Sequence, residues 1–312
     1  MEPVTPSNKG TPYSRGLDSM EACDAANAIH STFPDLDEVP VRSLNHDWSH
    51  WVFAHGDRVF CFPRKAADSR VHEREVRLLP LLAPRLPAPV PFPRWIGKWD
   101  GLPFWGYSAI EGHSLREGTL FGPGGGGIAR DIGRFLTVLH DFPVDEAARA
   151  LDAPFLENLP NPGEWLEDIR MRVFPRLSAT LRVAVDSGFT RYARDYRAPL
   201  PCLVHNDFRF DHMLERYGRL AGVISFGESA LYDFASDFAG ILADGGWHAV
   251  DDIARFYDRP IGEGFQERVE FHYWTAPLKE IVYGVDHGEE RHVGLGRSEL
   301  AQRMREVGIL PS

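Results

Sequence analysis

The stretch Leu203-Val204-His205-Asn206-Asp207-Phe208-Arg209-Phe210-Asp211-His212-Met213-Leu214 holds the densest chemistry in the 312-residue chain. Apolar residues flank a polar loop that carries two histidines and two aspartates. A hairpin is predicted next, with strands over 213–215 and 220–224 around the turn Tyr217-Gly218. It ends at Ser225-Phe226-Gly227-Glu228-Ser229, and a helix is predicted from Asp233 to residue 242.

Outward from this loop the chain changes texture twice. Toward the C-terminus, helices are predicted over 253–256 and 266–282. Upstream, residues 128–140 carry Ile132, Phe135, Leu136 and Leu139 at helical spacing, and 165–177 and 180–193 also read as helices. The glycine run over 122–127 reads as a loop. His140-Asp141 closes a helix, where a cation suits the helix dipole. Before residue 111 the pattern is mostly β, with predicted strands over 41–44, 50–54, 58–62, 94–99 and 103–110. One helix over 68–82 and a proline-rich connector over 84–93 interrupt it. Another short helix is expected over 21–33, after a polar lead-in. The expected organisation is therefore a lead-in over 1–34, a β-rich small lobe over 35–110 and an α-rich lobe over 111–312.

Composition removes several function classes. Thirty-four basic against 45 acidic residues give a net charge of −11, which argues against nucleic-acid partners and suits a cationic small molecule. Three cysteines without a CxxC pair exclude a disulfide framework or zinc ribbon. The N-terminus has no apolar signal-peptide core, and no apolar run reaches the roughly 18 residues of a membrane span. A cytoplasmic protein without membrane partners is expected. No H-E-x-x-H or G-x-S-x-G pattern supports a zinc hydrolase or a serine hydrolase.

The chain resembles the aminoglycoside phosphotransferase-like family of small-molecule kinases, nearest in look to resistance kinases for aminoglycosides, macrolides and viomycin-type antibiotics. The matching residues are His205-x-Asp207, His212, Phe226-Gly227, and Asp233 and Asp237 in a Tyr-Asp-x-x-x-Asp-Phe helix start. The resemblance spans roughly residues 40–310. It implies a bilobal, protein-kinase-like α+β fold with a small antiparallel N-lobe and an α-rich C-lobe. It also implies O-phosphotransfer from ATP or GTP to a hydroxylated, cationic small-molecule substrate.

The same residues suit that chemistry physically. Phosphoryl transfer needs positioning and charge neutralisation more than covalent catalysis. Asp207 can accept the proton of a substrate hydroxyl, and His205 can hold its loop by hydrogen bonds. Protein kinases place a metal-binding asparagine where His212 stands. His212, with Asp211 or Glu228 in support, is the candidate Mg²⁺ ligand, in a weakened site because an imidazole is a poorer Mg²⁺ ligand than an oxygen donor. Two departures weaken the pattern. The family's metal carboxylate falls on Ser225, so Asp211 or Glu228 becomes the candidate replacement. The family's phosphate-binding lysine falls on Cys61. Lysine is scarce, with Lys9, Lys65, Lys98 and Lys279 alone, so Arg64 or Lys65 at the strand end becomes the candidate substitute.

Glu75 is the expected helix partner of the missing lysine. Ser49, in the polar turn over 45–50, is a candidate phosphate contact, and backbone at Ser108 and Ile110 is the candidate adenine edge. Glu228 and Asp233 are candidate substrate contacts. Glu164, Asp168, Asp244, Asp251 and Asp252 are candidate walls of a cationic cleft. The competing expectation is a degraded kinase that binds a ligand or runs another reaction, because Ser225 and Cys61 remove two charges at once. The oligomeric state is not legible.

Overall fold

The computed structural model describes residues 20–46, 50–122, 124–153, 159, 161–194 and 196–311. The chain divides into two compact units. The first holds the described residues up to Ala83 together with Pro91–Ala109. The second holds Pro84–Val90 and everything from Ile110.

Helix α1 (Ala22–Thr32) opens the first unit, followed by strands β1 (Val41–His46), β2 (His50–His55) and β3 (Arg58–Pro63). Then come α2 (Ser69–Leu82), β4 (Trp95–Trp99) and β5 (Leu102–Ser108). The five strands form one antiparallel sheet in the order β1-β2-β3-β5-β4. Alternating aromatic residues explain its core. Phe53, Phe60, Phe62 and Phe104 are buried together with Ala25, Ala28 and Ile29 of α1. The Phe62 and Phe104 rings stack at 4.5 Å. Helix α2 buries His72, Glu75, Leu78, Leu79 and Leu82 on one face, as a 3.6-residue repeat requires.

The second unit runs through β6 (His113–Ser114), α3 (Glu117–Leu120), α4 (Gly125–His140), α5 (Val144–Leu151), α6 (Pro162–Arg172) and α7 (Ala179–Arg194). Strands β7 (Cys202–Val204), β8 (Met213–Arg216), β9 (Arg219–Val223) and β10 (Ala230–Tyr232) follow. Helices α8 (Ala235–Ala254), α9 (Phe265–His287) and α10 (Glu290–Glu306) complete it. The strands form two small antiparallel sheets, β10-β7 and β6-β8-β9. Leu166, Ile169, Phe189, Trp274, Leu278 and Leu300 knit α6, α7, α9 and α10 into one apolar core. No helix among the described residues is long and apolar enough to cross a membrane.

Several elements differ from the sequence expectation. The glycine run is not wholly a loop. Gly125 to Gly127 form the first turn of α4. A side chain at Gly125 would fall 1.6 Å from the Leu120 carbonyl oxygen, so only glycine permits this tight entry. The connector Pro84–Val90 belongs to the second unit, where the Pro89 carbonyl accepts from the Val223 N–H at 3.0 Å. Helix α8 continues past residue 242, is interrupted at Gly246 (φ 66°, ψ −177°) and ends at Ala254, so the helix expected over 253–256 overlaps only its last two residues. Helices α5 and α10 have no counterpart in the sequence reading.

Candidate active site

Strand β7 delivers the polar loop. Its geometry is set mainly by one carboxylate, that of Asp237 on α8, which is fully buried. Oδ1 accepts the Asn206 N–H at 2.7 Å, and Oδ2 accepts the His205 N–H at 3.0 Å. His140, at the end of α4, donates from Nε2 to the same Oδ2 at 3.0 Å, and the Tyr257 hydroxyl donates to its Nδ1 at 2.9 Å. Asn206 takes a left-handed conformation (φ 64°), which an Asn accepts more readily than most residues. Its side chain donates to the Glu228 carbonyl at 3.3 Å. Gly240 of α8 allows the close approach behind the loop, since a Cβ there would meet the Phe208 carbonyl oxygen at 2.4 Å.

The two histidines of the loop share one backbone residue, Ile224. Ile224 accepts from His205 Nε2 at 2.9 Å, and its own N–H donates to the His212 carbonyl at 2.9 Å. A loop-holding role is the expectation for His205, which makes its bond to Ile224 from inside the fold. It is fully buried, and the Phe226 ring packs against it at 4.7 Å. His212 Nδ1 donates to the Asp207 carbonyl oxygen at 2.8 Å and lies 3.5 Å from the Asp207 carboxylate. That carboxylate is about a third exposed and so reachable by a substrate. Asp211 and Glu228 are exposed on the same unit.

Burial pushes the His205 imidazole below its ordinary pKa; the Asp237 charge opposes this and His212 reinforces it. His205 is therefore neutral in the fold, while in the unfolded chain it takes up a proton near pH 6.5. Below that pH the unfolded state binds more protons, so stability falls with falling pH, by up to about 1.4 kcal/mol per pH unit for this residue. Urea unfolding at pH 7.5 and pH 5.5 is expected to show this loss, and His205→Gln to flatten the difference. An equal loss in the variant would contradict the assignment.

Ser225 occupies the position after β9 in a left-handed conformation (φ 70°, ψ 57°). It offers a hydroxyl where an Mg²⁺ site wants an anionic oxygen. His212 has Nδ1 committed to the Asp207 carbonyl. No group of three or more His, Cys, Asp or Glu side chains that could hold a metal lies among the described residues. A kinase Mg²⁺ is held by one or two carboxylates together with the nucleotide phosphates, and of His212, Ser225 and Asp211 the one carboxylate is that of Asp211, which is exposed. A left-handed backbone tolerates aspartate, so Ser225→Asp is expected to fold normally and to make nucleotide binding Mg²⁺-dependent. Calorimetric titration with and without Mg²⁺ checks this, and an unaltered Mg²⁺ response would contradict it.

Asp233, a candidate substrate contact, lies just before α8. It is 2% exposed. Its Oδ1 accepts the Ala235 N–H at 3.0 Å at the start of α8. Its Oδ2 lies 3.0 Å from Arg268 Nε and 3.2 Å from His272 Nε2. Burial alone would raise its pKa, but His272, Arg268 and the Ala235 N–H hold it below the ordinary value. Most of the expected acidic cleft is likewise engaged in ion pairs. Asp168 meets Arg172, Asp244 meets Arg209 and accepts the Phe210 N–H, and Asp252 meets Arg255.

In the first unit, Cys61 is buried in β3, paired across the sheet with Val52 and Trp105. Glu75 has a partner that the sequence reading missed. His50 Nε2 on β2 lies 2.8 Å from its Oε2, and both side chains are nearly fully buried. His50 also stacks on His72 at 4.2 Å. The Arg64 guanidinium sits over the Trp51 ring at 4.5 Å. The Lys65 N–H donates to Asp68 at 2.9 Å in the turn that precedes α2. Ser108 is exposed at the end of β5, while Ile110 lies in the second unit. Ser49 lies outside the described residues. His140 also departs from expectation: it is a buried link to Asp237 and not an exposed cap of the helix dipole.

A two-unit α+β architecture with an antiparallel sheet, and a loop carrying an exposed aspartate between a strand and a hairpin, define a kinase-like small-molecule phosphotransferase. The chain belongs to the phosphotransferase enzyme family abbreviated APH, whose family model matches residues 40–273. Solved structures agree. The GDP complex of wild-type aminoglycoside 2'-phosphotransferase-IIIa is 25% identical with a TM-score of 0.82, covering 92% of this chain and 99% of that one. The GDP and kanamycin complex of APH(2")-IIia is 26% identical with a TM-score of 0.80, covering 90% and 98%. The macrolide 2'-phosphotransferase MphH from Brachybacterium faecium, at 22% identity, shares the fold with a TM-score of 0.68, covering 88% and 97%.

Proposed function

We propose that this chain transfers the γ-phosphoryl group of ATP or GTP to a hydroxyl of an antibiotic-like natural product. Asp207 is the general base in this reading. The observation that carries it is the staple by which buried Asp237 holds the His205 and Asn206 N–H groups just before Asp207, whose carboxylate is about a third exposed. Such a carboxylate is a preorganised proton acceptor. The base takes the hydroxyl proton as the oxygen attacks phosphorus, and the nucleoside diphosphate leaves.

Exposed carboxylates at Asp211 and Glu228 on the same unit favour an acceptor with cationic groups beside the reacting hydroxyl. Arg64 or Lys65 is the proposed substitute for the family lysine. Ser49, with the backbone at Ser108 and Ile110, is proposed to meet the nucleotide. Similarity to phosphotransferases solved with GDP supports nucleotide binding. The test is incubation of the purified protein with γ-labelled ATP or GTP and a panel of aminoglycosides and macrolides. A labelled antibiotic is expected. Label found only as free phosphate, or in nothing, would contradict the proposal.

A further inference from the structure

The second unit carries a pocket of about 210 Å³ that none of the proposed catalytic residues line. Four separate elements build it: α6, α7, the end of β10 and α9. Its walls are aromatic, from Trp165, Tyr192, Tyr196, Tyr232 and Phe271. Tyr192 lies flat on Phe271 at 3.8 Å with the planes 6° apart. Trp165 stands edge-on to Phe271 at 6.1 Å. This packing fixes the rings before any ligand arrives.

The floor is polar but balanced. Asp233 is offset by Arg268 at 3.0 Å and by His272 at 3.2 Å. Among the described lining residues Asp233 is the only carboxylate, and with its charge offset a cationic occupant would gain little from it. The Tyr192 hydroxyl is buried and has no hydrogen-bond partner among the described residues. An unpaired buried hydroxyl is costly, and an acceptor atom on a ligand would relieve it. A cavity near 150 Å³ already accommodates benzene, so this one suits one substituted six-membered ring.

We propose that the pocket binds an uncharged ring, aryl or sugar, carrying an oxygen that accepts the Tyr192 hydroxyl proton, and that this ring is the remote part of the acceptor substrate. The second clause rests on the phosphotransferase reading above. Strand register sets the separation. Tyr232 pairs with Cys202 and Ala230 with Val204, so the pocket lies at the end of the ribbon away from Asp207. Five residues from Cys202 to Asp207 span at most about 17 Å. A multi-ring natural product bridges that distance, with cationic groups at one end and a neutral ring at the other.

The test is quenching of tryptophan fluorescence by 4-nitrophenyl β-D-glucopyranoside, a neutral aryl glycoside, with no nucleotide present. Saturable binding is expected, weakened about five- to tenfold in Tyr192→Phe, which keeps the stacked ring and removes only the hydroxyl. Absence of saturable binding, or equal binding by Tyr192→Phe, would overturn the proposal. Because binding is read without nucleotide, its failure leaves the phosphotransferase reading standing. A failure of phosphoryl transfer likewise leaves the pocket reading standing.

Discussion

Replacing Asp207 by alanine is expected to lower the rate of phosphoryl transfer by about 10²–10⁴-fold, the range of a lost general base. Nucleotide affinity and folding are expected to change little. The carboxylate is about a third exposed, and its contact with His212 Nδ1 is long at 3.5 Å. The loop backbone is held from below by Asp237 and by Ile224, not by the Asp207 side chain. The loss should therefore appear in kcat and not in the nucleotide KM. Asp207→Asn, which keeps the shape and removes the basicity, is expected to behave like alanine. Steady-state kinetics with labelled nucleotide checks both, and transfer within about threefold of the unaltered rate would remove Asp207 from the role of base.

Asp237→Ala is expected to carry the largest effect on stability, and to reduce transfer as well. Its carboxylate is fully buried and accepts from the N–H groups of His205 and Asn206 and from His140 Nε2. Removing it leaves three donors unpaired in the interior. The expected cost is about 3–5 kcal/mol, a large share of the stability of an ordinary domain. Asp237→Asn keeps one acceptor oxygen and is expected to cost less. In the asparagine variant kcat should fall more than nucleotide affinity, because the loop that carries Asp207 loses one backbone anchor. Denaturant unfolding and kinetics on the same preparations check this. A variant as stable as the unaltered protein would show that the staple contributes little.

Both effects trace back to unequal legibility in the sequence. The order strand, polar loop, hairpin and helix over 203–242 was readable because each part has its own local signal. So were the aromatic strands of the first unit, where alternation marks the buried face. Helix α10 was not readable. Its sequence holds few apolar residues, and Val293, Leu300 and Met304 become a core face only against α9 and its neighbours. The glycine run misled because glycine disfavours helix on its own; the close approach to Leu120 is a tertiary fact.

Among site residues, His205 and Asp207 follow from one motif. The partners that matter most do not. Asp237 stood out only as part of a helix-start pattern, and nothing local shows that it reaches back over about thirty residues to the loop. His140 lies farther still, 97 residues from Asp237, and read as an ordinary helix end. Glu75 was read as the helix partner of the family's lysine, which falls on Cys61, and it meets His50 of the neighbouring strand. The aromatic pocket is assembled from four elements, so no stretch of sequence announces it. Cys61 and Ser225, standing where the family has its lysine and metal carboxylate, were visible in the sequence itself; what replaces those charges is not.

Nucleotide binding is where these departures bear most directly on function. The decisive measurement is calorimetric titration of the purified protein with ATP and GTP, each with and without Mg²⁺. Saturable binding of at least one nucleotide, with a Kd on the order of 1 μM to 1 mM as is common for enzyme substrates, is the expected result. No binding of either nucleotide under any of these conditions would contradict the assignment of this chain as a working phosphotransferase.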